Sequence, residues 1–383
     1  MFLLLPHSSE HAAIARKVAG DFGYMGSSSE LGTVIAAPLN FKSLKHYVSK
    51  PLISSVDGRI TSNLRLFRYI MSEKAGPGVG FEFPSYEVSW LKRDLLLFAA
   101  SIGATYPEEL HFLYELHPQF AAFPTYPIIL PFKHTDQEVI DFYARSNAEP
   151  IDGVPKFDTK HVLDGERKLQ FLKPIPVSSE GRKFEIRSKV LGVYDKGKPG
   201  TVVETEQRLV DAESGETYSR AVGSGFYVGQ GGWGGPKGPK VPSYPPPDRA
   251  PDATRTVQTT METAHIYRLN GDYNPLHADP EPGKKMGFGG PIIHGLFSWN
   301  MSAHAILQAF GASKPENMKE FQARFAAPVK PADKLITEMW RTGEKVEGGF
   351  EEIRFIVRVE GGKTVLTNGR AVVKIEGQVK AKL

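Results

Sequence analysis

The sequence predicts an α+β chain made of two copies of one unit, each with helical segments first and antiparallel strands after. Three observations carry this expectation. Helix-spaced apolar runs near residues 90 and 300 are each followed by β-branched and aromatic runs. A Gly/Pro-rich stretch divides the two blocks, and short pieces of the first block recur in the second. The chain has 383 residues, of which 40% are hydrophobic and 23% charged, enough for roughly two or three domains with a large core.

Residues 1–70 show serine clusters, scattered basic residues and no sustained period, and are expected to form a poorly structured extension. Eight Lys or Arg there stand against four Asp or Glu, so this segment carries the whole net charge of +4. Acid-poor, Ser- and Arg-containing starts also describe mitochondrial transit peptides, and a chain beginning at Met71 is a second reading. The opening "MFLLLPHSSE" has no basic flank, which argues against a secretory signal.

From residue 89, "SWLKRDLLLFAASIG" places Leu91, Leu95, Phe98, Ala99 and Ile102 at helical spacing, with Ser89 as the expected cap and Gly103 as the stop. "RKFEIRSKVLGVYDKG", "GTVVETEQRLVDA" and "ETYSRAVGSGFYVGQ" read as strands. Residues 229–252 read as a linker. "METAHIYRLNG" then reads as a helix, and "GLFSWNMSAHAILQAFG", apolar on nearly all sides, as a buried one. "KLITEMW", "EIRFIVRVE" and "TVLTNGRAVVKI" close the chain as strands. The expected organisation is an extension over 1–70, a first unit over 71–228, the linker, a second unit over 253–380, and a terminal tripeptide.

Composition excludes several classes. No basic stripe of the kind that binds nucleic acid is visible, and no apolar run reaches the length of a membrane span. With no cysteine, disulfides, thiol nucleophiles and thiolate metal sites are all excluded.

Setting "IGATYPEEL" (102–110) beside "NGDYNPLHA" (270–278) matches Gly103 to Gly271 and Pro107 to Pro275. Setting "YPIILPF" (126–132) beside "GPIIHGL" (290–296) matches both Pro-Ile-Ile triplets. The reactive residues do not recur. Asp272, Asn274 and His277 face Ala104, Tyr106 and Glu109, while His294 and Gly295 face Leu130 and Pro131. The first copy therefore reads as stripped of chemistry.

In the second copy, Pro275 turns the chain away from a helix, so Asp272 and His277 can share one cleft as an acid/base pair with Asn274 orienting a water or a partner. Local turn bonds, a satisfied core histidine and a metal site remain alternatives for these residues. "GFGGPIIHGLF" (287–297) opens the buried helix, whose N-terminal N–H groups and close backbone approach at Gly295 suit an oxyanion hole. A glycine-rich helix start with no ligand is the alternative there.

Together, "YRLNGDYNPLHADP" and "GFGGPIIHGL" resemble the signature of the type 2 enoyl-CoA hydratases, the MaoC-like (R)-specific hydratases. "GFYVGQGGWGGPKGP", "ARFAAPVKP", "LLLFAASIGA" and "FPTYPII" resemble the hydratase part of peroxisomal multifunctional enzyme type 2. The likeness covers roughly residues 78–375. It implies a double hot-dog fold, two long helices each wrapped by a curved antiparallel sheet. It implies reversible hydration of trans-2-enoyl-CoA to (3R)-hydroxyacyl-CoA. Asp272 and His277 are then the catalytic pair, Asn274 completes the site, and the Gly295 N–H binds the thioester oxygen. Arg324, with Lys330 second, is the implied phosphate-binding cation, and His294 lies among the substrate-binding residues. No metal or redox cofactor is implied, since CoA enters with the substrate. One departure stands out: "VLDGER" carries Asp164 where the family usually has histidine.

Ala381-Lys382-Leu383 is a variant of the Ser-Lys-Leu peroxisomal address, so an import receptor and a peroxisomal location are expected. A homodimer stays open. So do two other functions, a dehydratase of a specialised biosynthetic acyl thioester and a non-catalytic acyl-CoA-binding protein.

Overall fold

The computed structural model describes residues 76–145 and 150–376. The expected extension over 1–70 and the tripeptide 381–383 lie outside these residues. The described residues contain ten strands: β1 (Tyr86–Val88), β2 (Val162–Phe171), β3 (Phe184–Asp195), β4 (Gly200–Asp211), β5 (Thr217–Val228), β6 (Ala253–Gln258), β7 (Met318–Phe325), β8 (Lys334–Val346), β9 (Phe350–Val359) and β10 (Thr364–Lys374). They form one sheet in the order β1-β3-β4-β5-β2-β7-β10-β9-β8-β6. Every neighbouring pair is antiparallel. From either edge inward the wiring is the same: a short edge strand, a three-strand meander, and a strand at the central seam. The internal repeat is thus a repeat of topology.

Six of these strands carry the runs that the sequence reading identifies. The seam strands β2 and β7 and the edge strands β1 and β6 are not among them. At the seam, residues 166, 168 and 170 of β2 stand opposite 324, 322 and 320 of β7 on one face. That face is bound by charge. Arg324 pairs with Glu166 at 3.0 Å and Lys168 with Glu320 at 2.9 Å. The other face holds Leu169, Phe321 and Ala323, all buried. Charged and apolar residues alternate so evenly that neither strand shows an apolar run.

Helix α1 (Lys92–Ser101) buries Leu95, Phe98 and Ala99. It begins three residues after the expected Ser89 cap. The Asp94 carboxylate instead accepts the Leu91 N–H at 2.8 Å and closes the first turn. In the second repeat the corresponding stretch is α2 (Thr263–Tyr267) with one 3-10 turn, Arg268–Asn270. A short α3 (Pro280–Lys285) precedes the long α4 (Gly295–Phe310). Nearly all of α4 is buried, including Trp299, Met301, Ile306, Leu307 and Phe310. Each such side chain contributes about 1.5–3 kcal/mol of transfer free energy, so the helix is held on every side. It ends at Gly311, where an added Cβ would lie 2.7 Å from Leu307 and the Asn317 amide donates to the Gly311 carbonyl at 3.0 Å.

The two repeats differ where α4 runs. The matching segment of the first repeat is a 3-10 turn, Tyr126–Ile129, and one α-turn, Leu130–Lys133. His134 then takes a φ of 55°, which ends the helix. The double hot-dog therefore has one long central helix and one stub, where two long helices are expected from the resemblance. Residues 229–252 contain no helix or strand, yet they are fastened. The Asp195 carboxylate accepts the N–H groups of Gly232 (2.7 Å) and Gly234 (2.8 Å), and Tyr244 N–H donates to Asn368 Oδ1 at 2.7 Å.

Two contacts lock the repeats together. Gly271, at φ 121°, lies so close to Lys133 that a Cβ would be 2.6 Å from its Cα. Glu109, the residue facing His277 in the repeat, bonds His304 of α4 at 2.8 and 2.9 Å. It also accepts Ser313 Oγ at 2.7 Å and Thr105 N–H at 2.9 Å. Burial opposes its ionisation, but the hydrogen bond and charge of His304 and these donors outweigh burial and hold the carboxyl below its ordinary 4.5. Both side chains are almost fully buried, at 2% and 0% exposure. His304→Ala should therefore strand a buried carboxylate and cost about 3–5 kcal/mol in urea unfolding. Because the folded value is depressed, wild-type Glu109 contributes stability above pH 4.5 that is lost as pH falls through the lower folded value. The penalty of His304→Ala should accordingly shrink in acid.

Candidate active site

The residues singled out in "NGDYNPLH" and "PIIHGL" come together at the N-terminus of α4. Asn274 takes an extended conformation before Pro275, and a 3-10 turn, Pro275–His277, follows. Asn274 Oδ1 accepts the Leu276 N–H at 3.1 Å, and Asn274 N–H donates to Asp272 Oδ1 at 3.3 Å. Its turn chemistry thus positions the aspartate, so the two readings of Asn274 meet in one residue.

His277 is buried, and its Nδ1–H donates to the Ile292 carbonyl at 2.9 Å. That bond assigns the tautomer and leaves Nε2 as the free base. His294 lies behind it, 1% exposed, with rings stacked at 3.8 Å and 27°. Its Nε2–H donates to the Asp272 backbone carbonyl at 3.1 Å. The structure therefore places His294 as a support for both members of the pair, away from any open face on which substrate would rest. The Ile293 N–H donates to the Val329 carbonyl at 2.8 Å, which ties the helix start to the chain beyond β7.

Burial pushes the Asp272 carboxyl above its ordinary 3.8, against the opposing pull of His277. Burial pushes His277 below 6.5, against the opposing pull of Asp272. The aspartate becomes a stronger base and the histidine stays neutral at physiological pH. Two further charges reach Asp272 from β2, Asp164 raising it and Arg167 lowering it. Arg167 is the site neighbour that sequence reasoning missed, since an arginine within a charged strand carries no distinguishing signal.

Gly295 is the first residue of α4, where N–H groups lack intrahelical acceptors and the dipole is positive. A Cβ there would lie 3.0 Å from the Phe325 ring. Arg324 is half exposed, and its Nε and Nη2 serve Glu166 across the seam. Lys330 is exposed beside Val329, and so close to the helix start. Asp272, His277 and His294 each place a donor atom within 4.8 Å of the others. The two imidazole rings are stacked at 27°, however, an arrangement unlike the converging in-plane nitrogens of a tetrahedral metal site.

Residues 243–365 match the family described as "MaoC like domain", and residues 88–229 match "MFE-2 hydratase 2 N-terminal domain". The chain is 51% identical over 316 residues to "Probable dehydratase NIT22" of Ajellomyces capsulatus, covering 79% of this chain and 84% of that protein. It is 37% identical over 257 residues to "Probable enoyl-CoA hydratase 2" of Dictyostelium discoideum, covering 67% and 83%. A crystal structure of a MaoC-like dehydratase from Phytophthora capsici superposes with a TM-score of 0.68 at 32% identity, covering 80% of this chain and 100% of that one. Relatives in Mus musculus and Arabidopsis thaliana are named "Peroxisomal multifunctional enzyme type 2" and "Enoyl-CoA hydratase 2, peroxisomal", and the chain spans 37% of the length of the mouse protein.

Gly295→Pro removes the N–H at a helix position that tolerates proline, after a residue already at φ −52° and ψ 130°. It should lower kcat by about 10²–10³. Gly295→Ala keeps the N–H and reports the Phe325 contact alone, so a kcat loss equal in both variants would remove the oxyanion role.

Proposed function

The chain belongs to the MaoC-like hydratase 2 family of hydro-lyases, and on that premise we propose that it hydrates trans-2-enoyl-CoA to (3R)-hydroxyacyl-CoA, and dehydrates the product, in the peroxisome. The observation that carries the reading is the meeting of Asp272 and His277 beside the Gly295 end of α4.

The chemistry follows from that arrangement. A water held between the Asp272 carboxylate and His277 Nε2 gives its oxygen to C3 of the enoyl group. The pair takes the released proton and returns it to C2. Between these events negative charge moves onto the thioester oxygen, where the Gly295 N–H and the helix dipole lower its energy. Asn274 and His294 act as positioning residues, the first through the Asp272 carboxylate and the second through its backbone and the His277 ring. Water addition and proton return balance without a metal or redox partner, so chelation with EDTA should leave the rate unchanged.

The peroxisomal part is supported by the names of the relatives and by Ala381-Lys382-Leu383. The (R) configuration is supported by the family signature. Steady-state hydration of trans-2-enoyl-CoAs with the product's configuration assigned tests the activity, and an (S) product would overturn it. A fluorescent protein fused ahead of the chain should enter peroxisomes, and should stay outside when Leu383 is deleted.

Asp272→Asn and His277→Gln should each lower kcat about 10²–10⁴-fold, and the double variant should fall little further, because the two act as one unit. With His277 depressed, kcat/KM should stay level as pH falls to 6.5 and decline only below it. A decline that begins above 6.5 would contradict a neutral, buried histidine.

A further inference from the structure

On β3, Phe184, Ile186, Ser188 and Val190 are buried, and Glu185, Arg187 and Lys189 alternate with them on the outer face of the sheet. Arg208 of β4 stands opposite Arg187, and Arg220 of β5 stands opposite Arg208. Three guanidiniums therefore lie in a row across three adjacent strands. Like charges directly opposite one another destabilise a sheet. The two carboxylates set among them do not saturate the row. Glu185 accepts Arg187 Nε at 2.6 Å and the Ser85 hydroxyl at 3.0 Å. Glu206, 4% exposed, lies 3.3 Å from Arg208 Nε and 3.4 Å from Lys189 Nζ, and it also accepts Arg220 Nε. Arg187 and Arg208 both meet their carboxylates through Nε. Their terminal nitrogens have no hydrogen-bond partner among the described residues.

A cavity of about 370 Å³ opens over this row, lined by Arg187, Lys189 and Arg208 and, across from them, by Glu82, Phe83 and Ser85. Register makes the room. Glu82 bridges to Lys189 and Tyr86 pairs with Ile186, so three residues of the edge segment span two of β3. The extra residue makes a bulge, and the bulge contains Pro84, which has no N–H to give the ladder. The edge bows away from β3 there, while the Phe83 N–H still donates to the Ser188 carbonyl at 3.0 Å. The cavity is thus on the solvent side of the sheet, whereas α4 is buried in the core.

We propose that this bowed edge is an anion site separate from the catalytic pair, and that it takes a phosphate monoester. Two guanidinium edges and an ammonium around one space fit a tetrahedral oxyanion, whose oxygens point more than one way. A planar carboxylate gives both its oxygens to one fork and leaves the other arginine bare. Four cations, Arg187, Lys189, Arg208 and Arg220, stand with three carboxylates, Glu82, Glu185 and Glu206, so one positive charge is left over. That surplus suits a group with one or two negative charges. A polyphosphate chain would bring more, and would also meet Glu82. The cavity is larger than a phosphate ion, and Phe83 offers an apolar surface to the organic part of the ester.

Thermal unfolding of the full chain in inorganic phosphate tests this, with sodium chloride and sodium acetate at matched ionic strength as references. Phosphate should raise the wild-type Tm beyond either reference, because a ligand of the folded state stabilises it. Arg208→Gln removes one of three like charges, so its Tm without phosphate should hold or rise, while the phosphate increment should vanish. Calorimetric titration should show phosphate binding that Arg208→Gln weakens about tenfold or more. If that variant does not fold, Arg187→Gln should weaken binding in the same way. Crotonyl-CoA hydration should be equal in wild type and both variants, since neither arginine belongs to the catalytic pair. Glycerol 3-phosphate and phosphatidylcholine vesicles containing phosphatidylinositol 4-phosphate separate the sources. Arginine-dependent binding of the first supports a soluble ester, and of the second a lipid headgroup. Phosphate binding without either ester would mean an adventitious ion only and would overturn the proposal. So would a phosphate increment that the variants keep, or acetate binding as tight as phosphate.

Discussion

Burial of α4 on all sides is the constraint from which the rest follows. A helix inside a sheet cannot shift along its axis without breaking packing around Trp299, Phe310 and Leu307. Its N-terminus is thereby a fixed point, and the Gly295 N–H inherits that fixity. Burial also favours a partner within the protein for polar side chains on the helix, and several find one, although Ser298 Oγ has none among the described residues. Asn300 takes the Tyr267 hydroxyl at 2.9 Å, which ties α4 to α2 and so to the loop that carries Asp272. His304 takes Glu109, and the first repeat is tied to the second. The polar residues of an apolar helix are the fasteners that hold the site and the silent repeat in register.

Divergence of the two copies follows the same line. Gly103 and Gly271 both keep positive φ, while Pro107 follows a cis peptide bond and Pro275 opens a 3-10 turn. The scaffold has persisted while its contents changed. Where the second copy has His277 stacked on His294, the first has Glu109 bonded to His304 of α4. Where the second has sixteen residues of helix, the first stops after a single turn and leaves a cavity. One copy supplies the Asp272–His277 pair, and the other supplies a clamp and a space.

Legibility in the sequence tracked how far each element's chemistry is local. The meander strands declared themselves through β-branched runs, and α4 through its unbroken apolarity. The seam strands β2 and β7 did not. Their charged face is stabilised by residues more than 150 positions away, as in the 3.0 Å pair of Arg324 with Glu166. The Asp-x-Asn-Pro-x-His spacing was legible because a turn brings its residues together without tertiary help. The role of His294 was not, since nothing local reveals that it stacks beneath His277. Nor was the stub. Leu130 to Lys133 form one helical turn, and His134 at positive φ follows it. Arg167 was hidden for a further reason. The bulge at Gly165 decides which face of β2 Asp164 occupies, and a bulge is a property of two strands together.

That bulge carries an electrostatic consequence for the reaction. A site that must accept a proton from water near neutrality needs a carboxylate more basic than a solvated one and a histidine that is not already protonated. Burial does both, raising Asp272 and depressing His277. A lone cation from the first repeat would undo this by pulling Asp272 back down, and a lone anion would drive it toward full protonation. Arg167 and Asp164 reach Asp272 with opposite signs. Arg167 can therefore stand near Asp272 because Asp164 offsets its charge there. A neutral residue at 164 would leave the arginine acting alone on Asp272. Charge balance in the first repeat thus tunes the Asp272 carboxyl of the second.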